Sequence, residues 1–151
     1  MVTEVQGEGS SGPERARGGC LCGAVRFRVM GPIRDPVACH CGQCRRQTGH
    51  YAANTATHRS NLRMDREEGL RWYESSPGIR RGFCGQCGST LFWDNQERPY
   101  MGIAAGSLDA PTGLRLAAHI FTADAGDYYE LSDDLHKDAG RDHGVPPPPE
   151  E

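Results

Sequence analysis

Cysteine pairs set far apart in the chain constrain its fold more than any other feature. Cys20-Leu21-Cys22 and Cys84-Gly85-Gln86-Cys87 belong to distant segments, yet one pair of each kind makes a closed four-thiolate site. The remaining three, Cys39, Cys41 and Cys44, form one CxCxxC run. In an extended segment Cys39 and Cys41 share a face, because side chains two apart point the same way. Cys41 and Cys44 are spaced for a turn that brings both sulfurs onto one ion, the half-site of zinc ribbons and fingers. Four plus three accounts for all seven cysteines without splitting a local pair. A zinc with four protein ligands is structural, and one with three and a fourth position left over is the arrangement of a catalytic centre.

Three other uses of cysteine compete with this. Disulfides would leave one thiol over from seven, and no secretory signal precedes them. A thioredoxin-like redox motif needs a CxxC in a βαβ setting, and no such alternation is visible. Buried free thiols account for a lone cysteine, not for two CxC and two CxxC pairs. The metal reading survives all three.

Residues 1–17 are polar and Gly/Ser-rich, and residues 138–151 end in a proline run and two glutamates. Both are expected to be disordered tails around one domain at 18–137. That leaves a modest core, so metal clamps would add materially to stability. A net charge of −3 with scattered arginines argues against a nucleic-acid partner. The absence of an apolar run of about 20 residues argues against a membrane span, and a cytoplasmic location is the expectation.

Val25, Phe27 and Val29 alternate with Arg26 and Arg28, the period of a half-buried strand. Further strands are expected at Val37–Cys41, Tyr51–Thr57, Leu62–Met64, Leu70–Tyr73, Ile79–Phe83, Thr90–Trp93, Tyr100–Ala104 and His119–Phe121, with an edge element at Asp127–Leu131. Cys44–Thr48 reads as a turn or short helix, and Gly85 and Gly88 as the flexible points of a thiolate knuckle. Many short strands with Gly/Pro punctuation indicate a mainly β, antiparallel architecture with little helix. Trp72 and Trp93 are expected in the core, and His40, His50 and His119 as framework residues rather than ligands.

Gly19–Val25, the run CHCGQCRRQTG at 39–49 and Arg81–Ser89 resemble, in order, the motifs of the glutathione-dependent formaldehyde-activating enzyme family, to which centromere protein V belongs. The resemblance spans roughly residues 18–135. It implies an Mss4-like fold of several coiled antiparallel sheets with zinc knuckles. It also implies two zinc ions per chain: one structural, on Cys20, Cys22, Cys84 and Cys87, and one catalytic, on Cys39, Cys41 and Cys44. The implied activity is a carbon–sulfur lyase type, joining a small-molecule thiol such as glutathione to an aldehyde such as formaldehyde. Arg45 and Arg46, next to Cys44, are the candidate partners for the thiol's carboxylates. A homodimer is allowed for. The competing expectation is a non-catalytic zinc module that binds a protein or nucleic-acid partner, since the fold hosts both roles.

Overall fold

The computed structural model describes residues 13–140 and 146–150. The alternation at 25–29 does form a strand, β2 (Arg26–Val29), central in a three-stranded antiparallel sheet between β1 (Ala16–Gly19) and β5 (Leu62–Arg66). Phe27 and Val29 are buried, while Arg26 and Arg28 turn outward to ion pairs with Asp109 (2.7 Å) and Asp65 (3.0 Å). Because Ala16 and Arg17 already pair with Val29 and Arg28, the sheet starts two residues before the expected boundary at 18. Most of the expected N-terminal tail lies outside the described residues.

The second sheet has eight strands: β3 (Val37–Cys39), β4 (Ala52–His58), β6 (Leu70–Ser76), β7 (Ile79–Cys84), β8 (Thr90–Asn95), β9 (Tyr100–Ala104), β10 (Ala118–Ile120) and β11 (His136–Asp138). Their order is β11-β10-β3-β4-β9-β8-β7-β6. The hairpin-linked strands are antiparallel, as expected, but β10 runs parallel to both β3 and β11. Each of those pairs is joined by a long connection, and only a tight turn forces antiparallel pairing. Among the described residues a single α-helix forms, α1 (Gly42–Thr48), which takes in the last cysteine of the run. The edge strand expected at Asp127–Leu131 does not form; the edge is β11 instead. The chain turns at 127–129, and the hydroxyls of Tyr128 and Tyr129 meet the Gly49 carbonyl and His40 Nδ1.

The core lies between the sheets. Val25, Phe27 and Val29 meet Leu91, Phe92, Met101 and Ile103, and the rings of Phe27 and Phe92 tilt together at 5.2 Å. The period of two divides β9 between its faces. Met101 and Ile103 enter this core, whereas Tyr100 and Gly102 line a cavity. Trp93 lines that cavity rather than filling the core, whereas Trp72, half-buried, packs against the core as expected, stacked on Phe92, with Arg80 3.9 Å above its ring.

Asp94 in β8 is 1 % exposed and receives Arg59 at 2.5 Å and Arg80 at 2.9 Å. Burial alone would raise its pKa, but the hydrogen bonds from Arg59 and Arg80 outweigh it and hold the carboxyl below its ordinary range. A depressed folded pKa contributes stability above the unfolded value of about 4, and that stability is lost as pH falls through the folded value. Asp94→Ala should therefore destabilise by about 3 kcal/mol at neutral pH, since a buried member of the network is removed. Denaturant unfolding checks this, and the gap to wild type should narrow in acid. Equal stability at neutral pH would show the network to be dispensable.

Candidate metal centres

The four-sulfur cluster is built by two local devices. Cys84 ends β7, and the chain turns back as the Gly88 N–H donates to the Cys84 carbonyl at 2.8 Å. Gly88 has φ +82°, where a side chain would be strained. Gly85 works differently from the expectation: it has no positive φ, but a Cβ there would meet Arg71 Cγ at 2.8 Å. Cys20 follows β1, and its sulfur accepts the Val25 N–H at 3.2 Å. The Sγ atoms of Cys20 and Cys22 lie 3.7 Å apart, those of Cys22 and Cys84 3.8 Å apart, and all four fall within 4.8 Å of one another. Tetrahedral zinc with bonds of about 2.3 Å needs sulfurs about 3.8 Å apart, so this donor set fits such a metal. Cys87 is pulled down to about 5 by the hydroxyl and N–H of Ser89, which favours its thiolate.

The three-sulfur cluster sits where β3 runs into α1. Cys39 is the last residue of β3, held between β10 and β4. Cys41 is the N-cap of α1, its sulfur accepting the Cys44 N–H at 3.4 Å, and Cys44 is buried in the first turn. All three sulfurs lie within 4.8 Å of one another, and among the described residues no further His, Cys, Asp or Glu joins them. Hydrogen bonds from Cys39 and Cys44 hold Cys41 far below the usual thiol range, while the same contacts with Cys41 and Cys44 push Cys39 far above it. The neighbouring sulfurs thus oppose one another's ionisation. Ionising all three calls for a cation among the sulfurs, which is what a thiolate-binding metal supplies.

The three cysteines stand in the wall of a cavity of about 220 Å³, together with Arg34, Arg98, Trp93 and Tyr100. Arg45 and Arg46 lie on α1, half-buried and exposed respectively, and neither lines this cavity. Its arginines are Arg34, Arg81 and Arg98, which come from other segments; Arg81 opens the Arg81–Ser89 motif, whereas Arg34 and Arg98 carry no local signal in the sequence. Residues 141–145 and 151 of the expected C-terminal tail lie outside the described residues. Within 146–150, Pro146 lines the cavity and Pro148 is buried.

His40, between two of the cysteines, is fully buried and faces a hydrogen-bonded chain. Its Nδ1 meets the Tyr129 hydroxyl at 2.6 Å, its Nε2 meets His119 Nδ1 at 2.9 Å, and His119 Nε2 meets Asp133 at 2.9 Å. Asp133 accepts from His119, so His119 Nδ1 accepts from His40, and His40 Nδ1 accepts from Tyr129. Burial, then the neighbouring His119, lowers the His40 pKa and keeps the ring neutral. The chain ties the cysteine loop to β10 and to the 129–133 segment. His40, His119 and His50, whose ring packs 4.4 Å from Tyr51 and 4.3 Å from Tyr129, act as framework.

Residues 15–124 match the family described as glutathione-dependent formaldehyde-activating enzyme. A Halomonas elongata protein named, provisionally, as a glutathione-dependent formaldehyde-activating enzyme is 33 % identical over 62 % of this chain and 68 % of its own. A Schizosaccharomyces pombe protein described as an uncharacterized lyase is 28 % identical over 76 % of this chain and 84 % of its own. The crystal structure of a Rhodobacter sphaeroides protein superposes with a TM-score of 0.53 at 30 % identity, covering 62 % of this chain and 88 % of the other. Among the described residues, no helix is long and apolar enough to cross a membrane.

Proposed function

Because the chain belongs to the glutathione-dependent formaldehyde-activating enzyme family, we propose that it is a zinc-dependent carbon–sulfur lyase-type enzyme that adds a glutathione-like thiol reversibly to an aldehyde such as formaldehyde. Cys20, Cys22, Cys84 and Cys87 would hold a structural zinc, and Cys39, Cys41 and Cys44 a catalytic one. The observation that carries this reading is that the three-sulfur cluster, with no fourth ligand among the described residues, opens on a cavity. Zinc bound there would accept one further ligand and favour the thiolate of an incoming thiol at neutral pH.

The reaction forms a bond from the thiol sulfur to the carbonyl carbon and breaks the C=O π bond. The proton shed by the thiol ends on the former carbonyl oxygen, giving a hydroxymethyl thioether, and nothing is oxidised or reduced. The chain's contribution is largely to place the two reactants together. Arg45 and Arg46 beside Cys44, and Arg34 and Arg98 in the cavity wall, are the candidates for the carboxylates of a glutathione-like substrate. Trp93 and Tyr100 give the cavity its apolar surface.

Cobalt substitution tests this reading. Glutathione should intensify the sulfur-to-cobalt charge-transfer band saturably, and S-methylglutathione, which forms no thiolate, should not. Binding releases a proton, so apparent affinity should improve as pH rises toward the free thiol's pKa of about 8.5. With labelled formaldehyde, NMR should show the adduct forming faster than without protein. A spectrum indifferent to every thiol, with an unaccelerated reaction, would leave the non-catalytic zinc module as the better account.

A further inference from the structure

Arg81 in β7 is 7 % exposed and lies in the wall of the cysteine cavity. Its Nη1 donates to Cys44 Sγ at 3.5 Å and to Gln47 Oε1 at 3.0 Å. Its Nη2 donates to Gln43 Oε1 at 3.0 Å, and its Nε to Ser75 Oγ at 3.1 Å. Two amide oxygens and a hydroxyl are neutral; the cysteine sulfur is the one acceptor of the four that takes a charge. By contrast, Arg59 and Arg80 meet the buried carboxylate of Asp94. A guanidinium buried without a counter-charge is costly, so the placement of Arg81 makes sense only against an anion.

We infer that Arg81 is the counter-cation of the Cys39–Cys41–Cys44 centre, a positioning residue that stabilises its metal-loaded state and its uptake of an anionic fourth ligand. This rests on the reading that the trio holds zinc. Three thiolates on a divalent ion carry a net charge of −1, and an incoming thiolate makes it −2. A fixed positive charge against Cys44 brings these to 0 and −1. The fork is aimed by the helix that carries Cys44, because Gln43 and Gln47 both project from α1. Gln43 is itself anchored, donating to the Ser75 carbonyl and the Ser76 hydroxyl at 3.3 Å.

Chelator competition on the full-length zinc protein at neutral pH tests the inference. Arg81→Gln should lower zinc affinity at the central site roughly 10- to 100-fold, the usual effect of losing an outer partner of a metal ligand, and leave the four-cysteine site as in wild type. Arg81→Lys, which keeps the charge, should lose less. In cobalt-loaded protein Arg81→Gln should weaken glutathione but not imidazole, a neutral fourth ligand; a merely structural role would weaken both. Should Arg81→Gln not fold, Gln43→Glu replaces it. A carboxylate there would pair with Arg81, draw its charge from the sulfur and lower central-site zinc affinity in a near-isosteric protein. Wild-type zinc affinity in Arg81→Gln or Gln43→Glu, or equal losses for the Lys and Gln variants at position 81, would overturn the inference. A wild-type protein that takes no zinc at the trio would instead overturn the proposed function and the inference with it.

Discussion

Cys22→Ser or Cys87→Ser is expected to give insoluble or unfolded protein. Their cluster joins the end of β1 in the small sheet to the end of β7 in the large one, across a separation of 62 residues between Cys22 and Cys84. Between those segments the Leu21 N–H donates to Ser89 Oγ at 2.9 Å, a single bond where a metal would supply four, and the core between the sheets is modest. Structural zinc contributes on the order of 10 kcal/mol, comparable to the whole stability of a small domain. Circular dichroism and elemental zinc analysis check this, and a strong chelator added to wild type should reproduce the loss. A soluble Cys22→Ser protein with wild-type thermal stability would show that the hydrophobic core suffices and the cluster is no clamp.

Cys41→Ser should behave differently: folded, with one zinc instead of two, and without activity. The fold survives because Cys41 serves locally as the N-cap of α1, and serine is among the best N-caps. The β3 strand that carries Cys39 also stays paired to β4 and β10. Activity should fall toward the rate without protein. A bound metal contributes several kcal/mol to reactions of this kind, so the loss should be roughly a thousandfold or more. The zinc count and the initial rate of adduct formation check the two halves of the expectation. If Cys41→Ser unfolds as Cys22→Ser does, the central site is structural too and the lyase reading fails.

The different consequences of these two substitutions trace to what was legible in the sequence. Each local pair and the central trio were legible from spacing, since sulfurs two or three residues apart can reach one ion, and the union of the 20/22 and 84/87 pairs followed only from partitioning seven cysteines. The alternation at Val25–Val29 likewise located the strand that brings Phe27 into the core. The Asp127–Leu131 stretch misled for the complementary reason: its aromatic composition suits a strand, but the chain turns there and its two tyrosines face Gly49 and His40, 79 and 89 residues away. Arg45 and Arg46 drew notice by adjacency to Cys44, whereas Arg34 and Arg98 reach the cavity from segments with no motif of their own, and Arg81 from a motif noticed for its cysteines. Arg81 touches Cys44 across 37 residues because β7 and α1 flank the same cavity. Short-range spacing determined the cysteine pairs and the central trio. Only the tertiary structure decided which charges and rings would face them, because the cost of burying an arginine or a histidine is set by partners that arrive from elsewhere in the chain.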